Sequence, residues 1–160
     1  MVRVVMSRCL GLAACRFDGT MVKAPWLQRL SQVAEIIGVC PEEDAGLGTP
    51  RPPICLRKHG EQTRVVVCDS GEDITPALEA FAQGYLGSLK PVDAFVLKSK
   101  SPSCGLGTAK IFNDGSYTLG DGLFAAIAKA QRPEAVLVDE AFMEEKGVEG
   151  LLALLGDPKF

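Results

Sequence analysis

The stretch Lys98-Ser99-Lys100-Ser101-Pro102-Ser103-Cys104-Gly105 gathers one thiol, three hydroxyls and two ammonium groups into eight residues. It directly follows the run Asp93-Ala94-Phe95-Val96-Leu97, so it reads as a loop leaving the C-terminal end of a buried strand. Pro102 has no amide to continue a ladder, and Gly105 and Gly107 let the backbone bend sharply. In open α/β sheets that edge is where ligands bind. Two more cysteines hold equivalent places: Cys9 follows the apolar run Val2–Ser7, and Cys40 follows Glu35–Val39. The C-terminal ends of parallel strands share one edge, so Cys9, Cys40 and Cys104 can converge from distant sequence positions. Cys15 lies close enough to Cys9 to join them. Three thiolates make a soft donor set that suits zinc or an iron–sulfur cluster. They also leave one metal position open to water or substrate, which makes the metal a Lewis acid. Glu42 lies two residues after Cys40, and Ser99, Ser101 and Ser103 surround Cys104. From residue types and spacing alone, this is the chemistry of a metal- or thiol-dependent enzyme.

The elements that position these groups follow from periodicity. Val2–Ser7 suits a central strand. Pro25 opens a helical pattern with Trp26, Leu27, Leu30, Val33 and Ala34 on one face. The β-branched Glu35–Val39 reads as a second strand rather than as more helix. Glu43 to Pro53 is a long loop whose Thr49-Pro50-Arg51-Pro52-Pro53 must be extended, which makes it a rigid wall beside the site. Ile54–Arg57 and Arg64–Cys68 flank the polar turn Lys58–Thr63 as a hairpin, expected at the sheet edge. His59 falls in that turn as a solvated residue, and Cys55 and Cys68 read as packing residues. Asp73 or Thr75 caps a helix with Pro76 in its first turn, running to about Leu89. Asp93–Leu97 and Ala135–Val138 are further parallel-type strands. Lys110–Gly115 is a short strand and turn, Gly120-Asp121-Gly122 opens a helix through Ala130, and Phe142–Leu155 closes as helix. Strand and helix alternate over residues 1–160, which predicts a single α/β domain: a three-layer sandwich with a mostly parallel sheet.

Composition narrows the function. The chain has 160 residues and a net charge of −3 with no basic block, so a nucleic-acid polymer is not an expected partner. Its apolar stretches are too short to span a bilayer. Six cysteines with no secretory signal and no CxxC pair suit a reducing cytoplasm, where such cysteines serve metal binding or catalysis. Gly105-Leu106-Gly107-Thr108 lacks the lysine of a P-loop, no GxGxxG is present, and no serine has a histidine near enough in the pattern to activate it. Nothing in the sequence sets an oligomeric state.

Six blocks occur together and in order: Ser7-Arg8-Cys9-Leu10-Gly11, Cys15-Arg16-Phe17-Asp18-Gly19, Val39-Cys40-Pro41-Glu42, Thr49-Pro50-Arg51-Pro52-Pro53, Gly71-Glu72-Asp73-Ile74-Thr75 and Lys98–Gly105. In this the chain resembles the thiouracil desulfidase (TudS) family of bacterial iron–sulfur proteins, over nearly its full length. The resemblance implies a Rossmann-like domain and a [4Fe–4S] cluster on three cysteines, whose fourth iron is free to take sulfur from a thiolated nucleobase. Carried over, the ligands are Cys9, Cys40 and Cys104, with Cys15 as a substitute ligand or near neighbour. The implied reaction is non-redox: the C=S of a small thiolated pyrimidine such as thiouracil becomes C=O, and hydrogen sulfide is released. In that reaction Glu42 removes the proton of the attacking water, and Ser101 orients the ring or relays a proton. Lys98, Ser103 and Arg16 are the expected substrate contacts, and Lys100 joins Lys98 in meeting developing negative charge. The alternative is an iron–sulfur protein with a structural or sulfur-carrier role and no turnover. The chain departs from the family pattern in two places: one leucine, not two, precedes Gly11, and the acidic Glu43-Asp44 stand where apolar residues are usual.

Overall fold

In the first strand, β1 (Val2–Ser7), Val2, Val4 and Met6 join one core and Val5 joins another, so the strand is buried on both faces. That is the pattern of a central strand in a parallel sheet. On one side it pairs in parallel with β2 (Ala34–Val39), and on the other with β5 (Ala94–Leu97). Beyond β5 lies β8 (Val136–Asp139), also parallel, which gives the order β2-β1-β5-β8. The computed structural model describes residues 1–156; the last four positions of the expected 1–160 domain lie outside the described residues.

Helices cover both faces of this sheet. α1 (Leu27–Val33) and α5 (Glu140–Leu155) bring Leu30, Met143, Val148 and Leu151 against Val4, Met6 and Val96. α3 (Thr75–Ser88) and α4 (Leu123–Gln131) bring Ala82, Leu86, Phe124 and Ala128 against Val5, Phe95 and Leu97. The expected three-layer α/β sandwich with a parallel sheet is therefore present. α5 starts at Glu140, earlier than periodicity places it, because the Asp139 carboxylate accepts the Phe142 amide at 3.0 Å. Among the described residues no helix is long and apolar enough to cross a membrane.

A second sheet is the main addition to the sequence reading. β3 (Ile54–His59) and β4 (Gln62–Val67) form the expected hairpin, but it does not extend the first sheet. It joins a second hairpin, β6 (Ala109–Asn113) and β7 (Ser116–Gly120), in the order β4-β3-β6-β7. Leu56, Val65 and Ala109 of this sheet pack on Ile74 and on Leu78 of α3. Asp114 and Gly115 connect β6 to β7 with φ of 49° and 84°. Positive φ at both central residues is what a tight, right-twisted hairpin requires. The first hairpin also turns more tightly than expected. His59 is the last residue of β3, opposite Gln62, rather than a turn residue, and it is exposed.

Candidate active site

The strand order reverses direction between β1 and β5, and such a switch point opens a crevice at the C-terminal edge of the sheet. Two hydrogen bonds hold the strand tips together there. The Arg8 amide donates to the Val39 carbonyl at 2.8 Å, and the Lys98 amide donates to Ser7 Oγ at 2.9 Å. Above them lies a cavity of about 280 Å³, whose lining includes Cys9, Cys15, Cys40 and Cys104 together with Arg16, Glu42, Arg51, Lys98, Lys100 and Ser101. Cys40 directly precedes α2 (Pro41–Asp44), a single helical turn inside what reads in sequence as a long loop, and this turn carries Glu42 to the cavity.

The Cys104 loop is fixed from two sides. Ser101 Oγ accepts the amides of Ser103 at 3.1 Å and Cys104 at 3.0 Å, a local turn that serines favour. From the other side, the amides of Gly122, Leu123 and Ala125 donate to the carbonyls of Gly105, Pro102 and Ser103 at 2.8, 2.9 and 3.0 Å. A helix start leaves such amides without partners, and here the cysteine loop supplies them. A Cβ on Gly122 would stand 2.4 Å from the Ser103 carbonyl carbon, so this approach requires glycine.

The thiols sense one another. Cys15, Cys40 and Cys104 are buried and Cys9 is half-buried, and all six cysteines of the chain are free. Burial, then the neighbouring Cys40, pushes Cys9 up to about 11, against the pull of Lys98 and Arg16. Cys15 is pushed up to about 12 by the same two causes. Cys104 is also raised, first by burial, with the Ser7 hydroxyl opposing and Cys9, Glu42 and Cys40 adding to it. Like charges crowded in a buried site are relieved by a cation between them. Among the described residues no three His, Cys, Asp or Glu side chains are arranged to hold a single metal ion. The soft thiols that line this one cavity are the donor type an iron–sulfur cluster takes.

Glu42 is held at both oxygens. Arg51 Nε donates to Oε1 at 3.0 Å, and Ser103 Oγ donates to Oε2 at 2.9 Å. Ser103, expected at the substrate, is thus only 1% exposed and spends its hydroxyl on Glu42. Lys98 lines the cavity but is anchored, donating from Nζ to the Ser99 carbonyl at 2.8 Å and pairing with Glu140 Oε2 at 3.2 Å. The Ser99 amide and hydroxyl donate to the same buried carboxylate at 2.6 and 2.7 Å. Burial works against its charge, but the Ser99 bonds and Lys98 outweigh it and hold Glu140 below the ordinary glutamate value. Arg16 lines the cavity with no salt-bridge partner among the described residues. Lys100 also lines it and is exposed, with a left-handed backbone at φ 65°.

Two residue groups stand differently from what spacing suggests. Arg51 is a central member of the site that sequence reasoning passed over; the available signal was a lone arginine locked among prolines in the predicted wall. The acidic pair Glu43 and Asp44 does not line the cavity. Both carboxylates pair with Arg8, at 2.9 and 2.8 Å, and Glu43 also accepts the Thr49 hydroxyl. Cys55 and Cys68 lie off the cavity, on and just beyond the first hairpin of the second sheet, where burial and then Cys55 push Cys68 up to about 11.

Residues 4–140 match the model of the family described as 2-thiouracil desulfurase. The chain is 33% identical over 136 residues to the "Uncharacterized protein YbbK" of Bacillus subtilis, covering 79% of this chain and 89% of that one. It is also similar to a solved structure described as the [4Fe–4S]-dependent thiouracil desulfidase TudS. That likeness has a TM-score of 0.75 at 30% identity and covers 96% of this chain and 99% of the other. Matched by that family model over most of its length, this chain belongs to the 2-thiouracil desulfurase family.

Proposed function

We propose that this chain is a [4Fe–4S]-dependent desulfidase that converts the C=S of a thiolated pyrimidine such as thiouracil into C=O. Water supplies the oxygen and hydrogen sulfide leaves, so atoms balance without net electron transfer. The observation that carries the reading is the meeting of Cys9, Cys40 and Cys104 with Glu42 on one cavity. Cys9, Cys40 and Cys104 would hold the cluster, and Cys15 is the buried neighbour whose carbonyl faces Cys40 Sγ at 3.6 Å. Held on three thiolates, the cluster would supply one open iron, a soft Lewis acid for the thiocarbonyl sulfur.

The chain's own residues supply the rest. Glu42 takes the proton of the water that attacks the ring carbon, as a general base steadied by Arg51 and Ser103. Each carboxylate oxygen has two acceptor sites, so one hydrogen bond on each leaves room for that water. Ser101 accepts two amides, and its own O–H proton remains to be given to the ring or to the departing sulfur. Lys98 and Arg16 bring positive charge to the wall where negative charge develops. The six free cysteines fit work in a reducing cytoplasm.

The test is anaerobic purification followed by iron and sulfide analysis, with sulfide release from 2-thiouracil and 4-thiouracil measured without and with dithionite. About four irons and four acid-labile sulfides per chain are expected, with turnover in the absence of reductant. A loaded protein that releases no sulfide would instead be a structural or carrier protein. An absolute need for reductant in each turnover would sink the non-redox scheme.

A further inference from the structure

Arg51 sits in a loop, yet its side chain is 4% exposed. Taking a guanidinium out of water is costly, and such a group persists where its donors are used. Every nitrogen of Arg51 is used. Nε donates to Glu42 Oε1 at 3.0 Å. Nη1 donates to the Gly48 carbonyl at 2.8 Å and to Thr49 Oγ1 at 2.9 Å. Nη2 donates to the Cys15 carbonyl at 3.0 Å and stands 4.0 Å from Cys40 Sγ. Its backbone amide donates to the Phe17 carbonyl at 2.8 Å. One side chain thus ties together three pieces of chain: the Cys15–Phe17 loop, the helical turn after Cys40, and the Gly48–Thr49 segment.

We propose that Arg51 is the positioning residue of this site, acting on the reaction through Glu42. It fixes one carboxylate oxygen while Ser103 fixes the other, so Glu42 has a single orientation toward the cavity. The planar fork is needed for this: a lysine ammonium keeps the charge, but its three donors leave from one nitrogen and cannot meet four acceptors spread over three pieces of chain. The inference rests on the proposed role of Glu42 as base, and the experiment separates the two.

The experiment is a double-mutant cycle on anaerobically reconstituted protein: wild type, Arg51→Lys, Glu42→Gln and the double variant. Iron, acid-labile sulfide, kcat and KM for thiouracil are measured for each. Arg51→Lys is expected to keep its iron and sulfide and hold KM within about twofold, while kcat falls about 10–100-fold through misplacement of the base. In the Glu42→Gln background the same substitution should change kcat by less than about threefold, because a residue acting through Glu42 has nothing left to position. A wild-type kcat in Arg51→Lys overturns the proposal. So does a double variant slower than Glu42→Gln by the full Arg51→Lys factor, or an Arg51→Lys protein as iron-poor as Cys40→Ser. If Glu42→Gln itself runs at the wild-type rate, the base assignment falls, and the Arg51 proposal with it. If Arg51→Lys does not fold, Arg51→Gln enters the same cycle under the same outcomes, and loss of iron from both variants counts against the proposal.

Discussion

Gly122→Ala removes no ligand and no reactive group, yet it should empty the site. Gly122 has φ −65°, so an alanine suits its backbone; the obstacle is space. The new methyl would stand 2.4 Å from the Ser103 carbonyl carbon, 2.5 Å from its oxygen and 2.8 Å from the Cys104 amide nitrogen. These are backbone atoms, so the start of α4 or the Cys104 loop must move. Overpacking of this kind costs about 1–3 kcal/mol. The move also strains the bonds from Gly122, Leu123 and Ala125 to the loop, each worth about 0.5–1.5 kcal/mol net. A total near 3 kcal/mol lowers the melting temperature by about 6–12 °C in a domain of this size. The control is Gly84→Ala in the exposed middle of α3, where an added Cβ meets nothing within 4 Å. It should stabilise by about 0.5–1 kcal/mol through helix propensity. Thermal melts of the apo-proteins and iron content after reconstitution read both effects. A Gly122→Ala protein that melts with the wild type and binds full iron would refute the claim that α4 clamps the cysteine loop.

Ligand and base assignments are checked one residue at a time. Cys9→Ser, Cys40→Ser and Cys104→Ser should each give colourless, iron-poor protein, while Cys55→Ser and Cys68→Ser keep the cluster; Cys15→Ser decides whether that thiol is a ligand or only a neighbour. Glu42→Gln should keep its iron and lose turnover by about 10²–10⁴-fold, the usual span of a general base. Glu140→Gln should lower the melting temperature at neutral pH, because the charged carboxylate holds Ser99 and Lys98. Glu140 titrates below its ordinary value of 4.5, so its contribution is present above that pH and is lost as pH falls through the depressed value. The melting difference between wild type and Glu140→Gln should therefore shrink in acid; a difference that widens below pH 4.5 contradicts this sign.

Much of the fold and part of the site are legible in the sequence. β1, β5 and β8 show as apolar strands, and the β-branched Ile36, Ile37 and Val39 mark β2 after the α1 helix. Once those strands are taken as parallel, Cys9, Cys40 and Cys104 must share an edge, because parallel strands point their C-terminal ends the same way. The second sheet is not legible in this manner. β7 is exposed along nearly its whole length, so the alternation of Tyr117 and Leu119 with polar residues marks no buried face, and local periodicity cannot say that β3 pairs with β6 rather than with the first sheet. The division of labour among polar groups is decided still later. Ser101 and Ser103 are indistinguishable in the string Ser-Pro-Ser, yet one accepts two amides and the other donates to Glu42. Arg51 is 36 positions from Cys15, and only folding brings its guanidinium to that carbonyl. Residue type and strand direction are properties of the chain itself, so the sequence determines that thiols gather at the sheet's C-terminal edge. Which donor meets which acceptor depends on distances set when separate loops pack against one another, and those exist only in the tertiary structure.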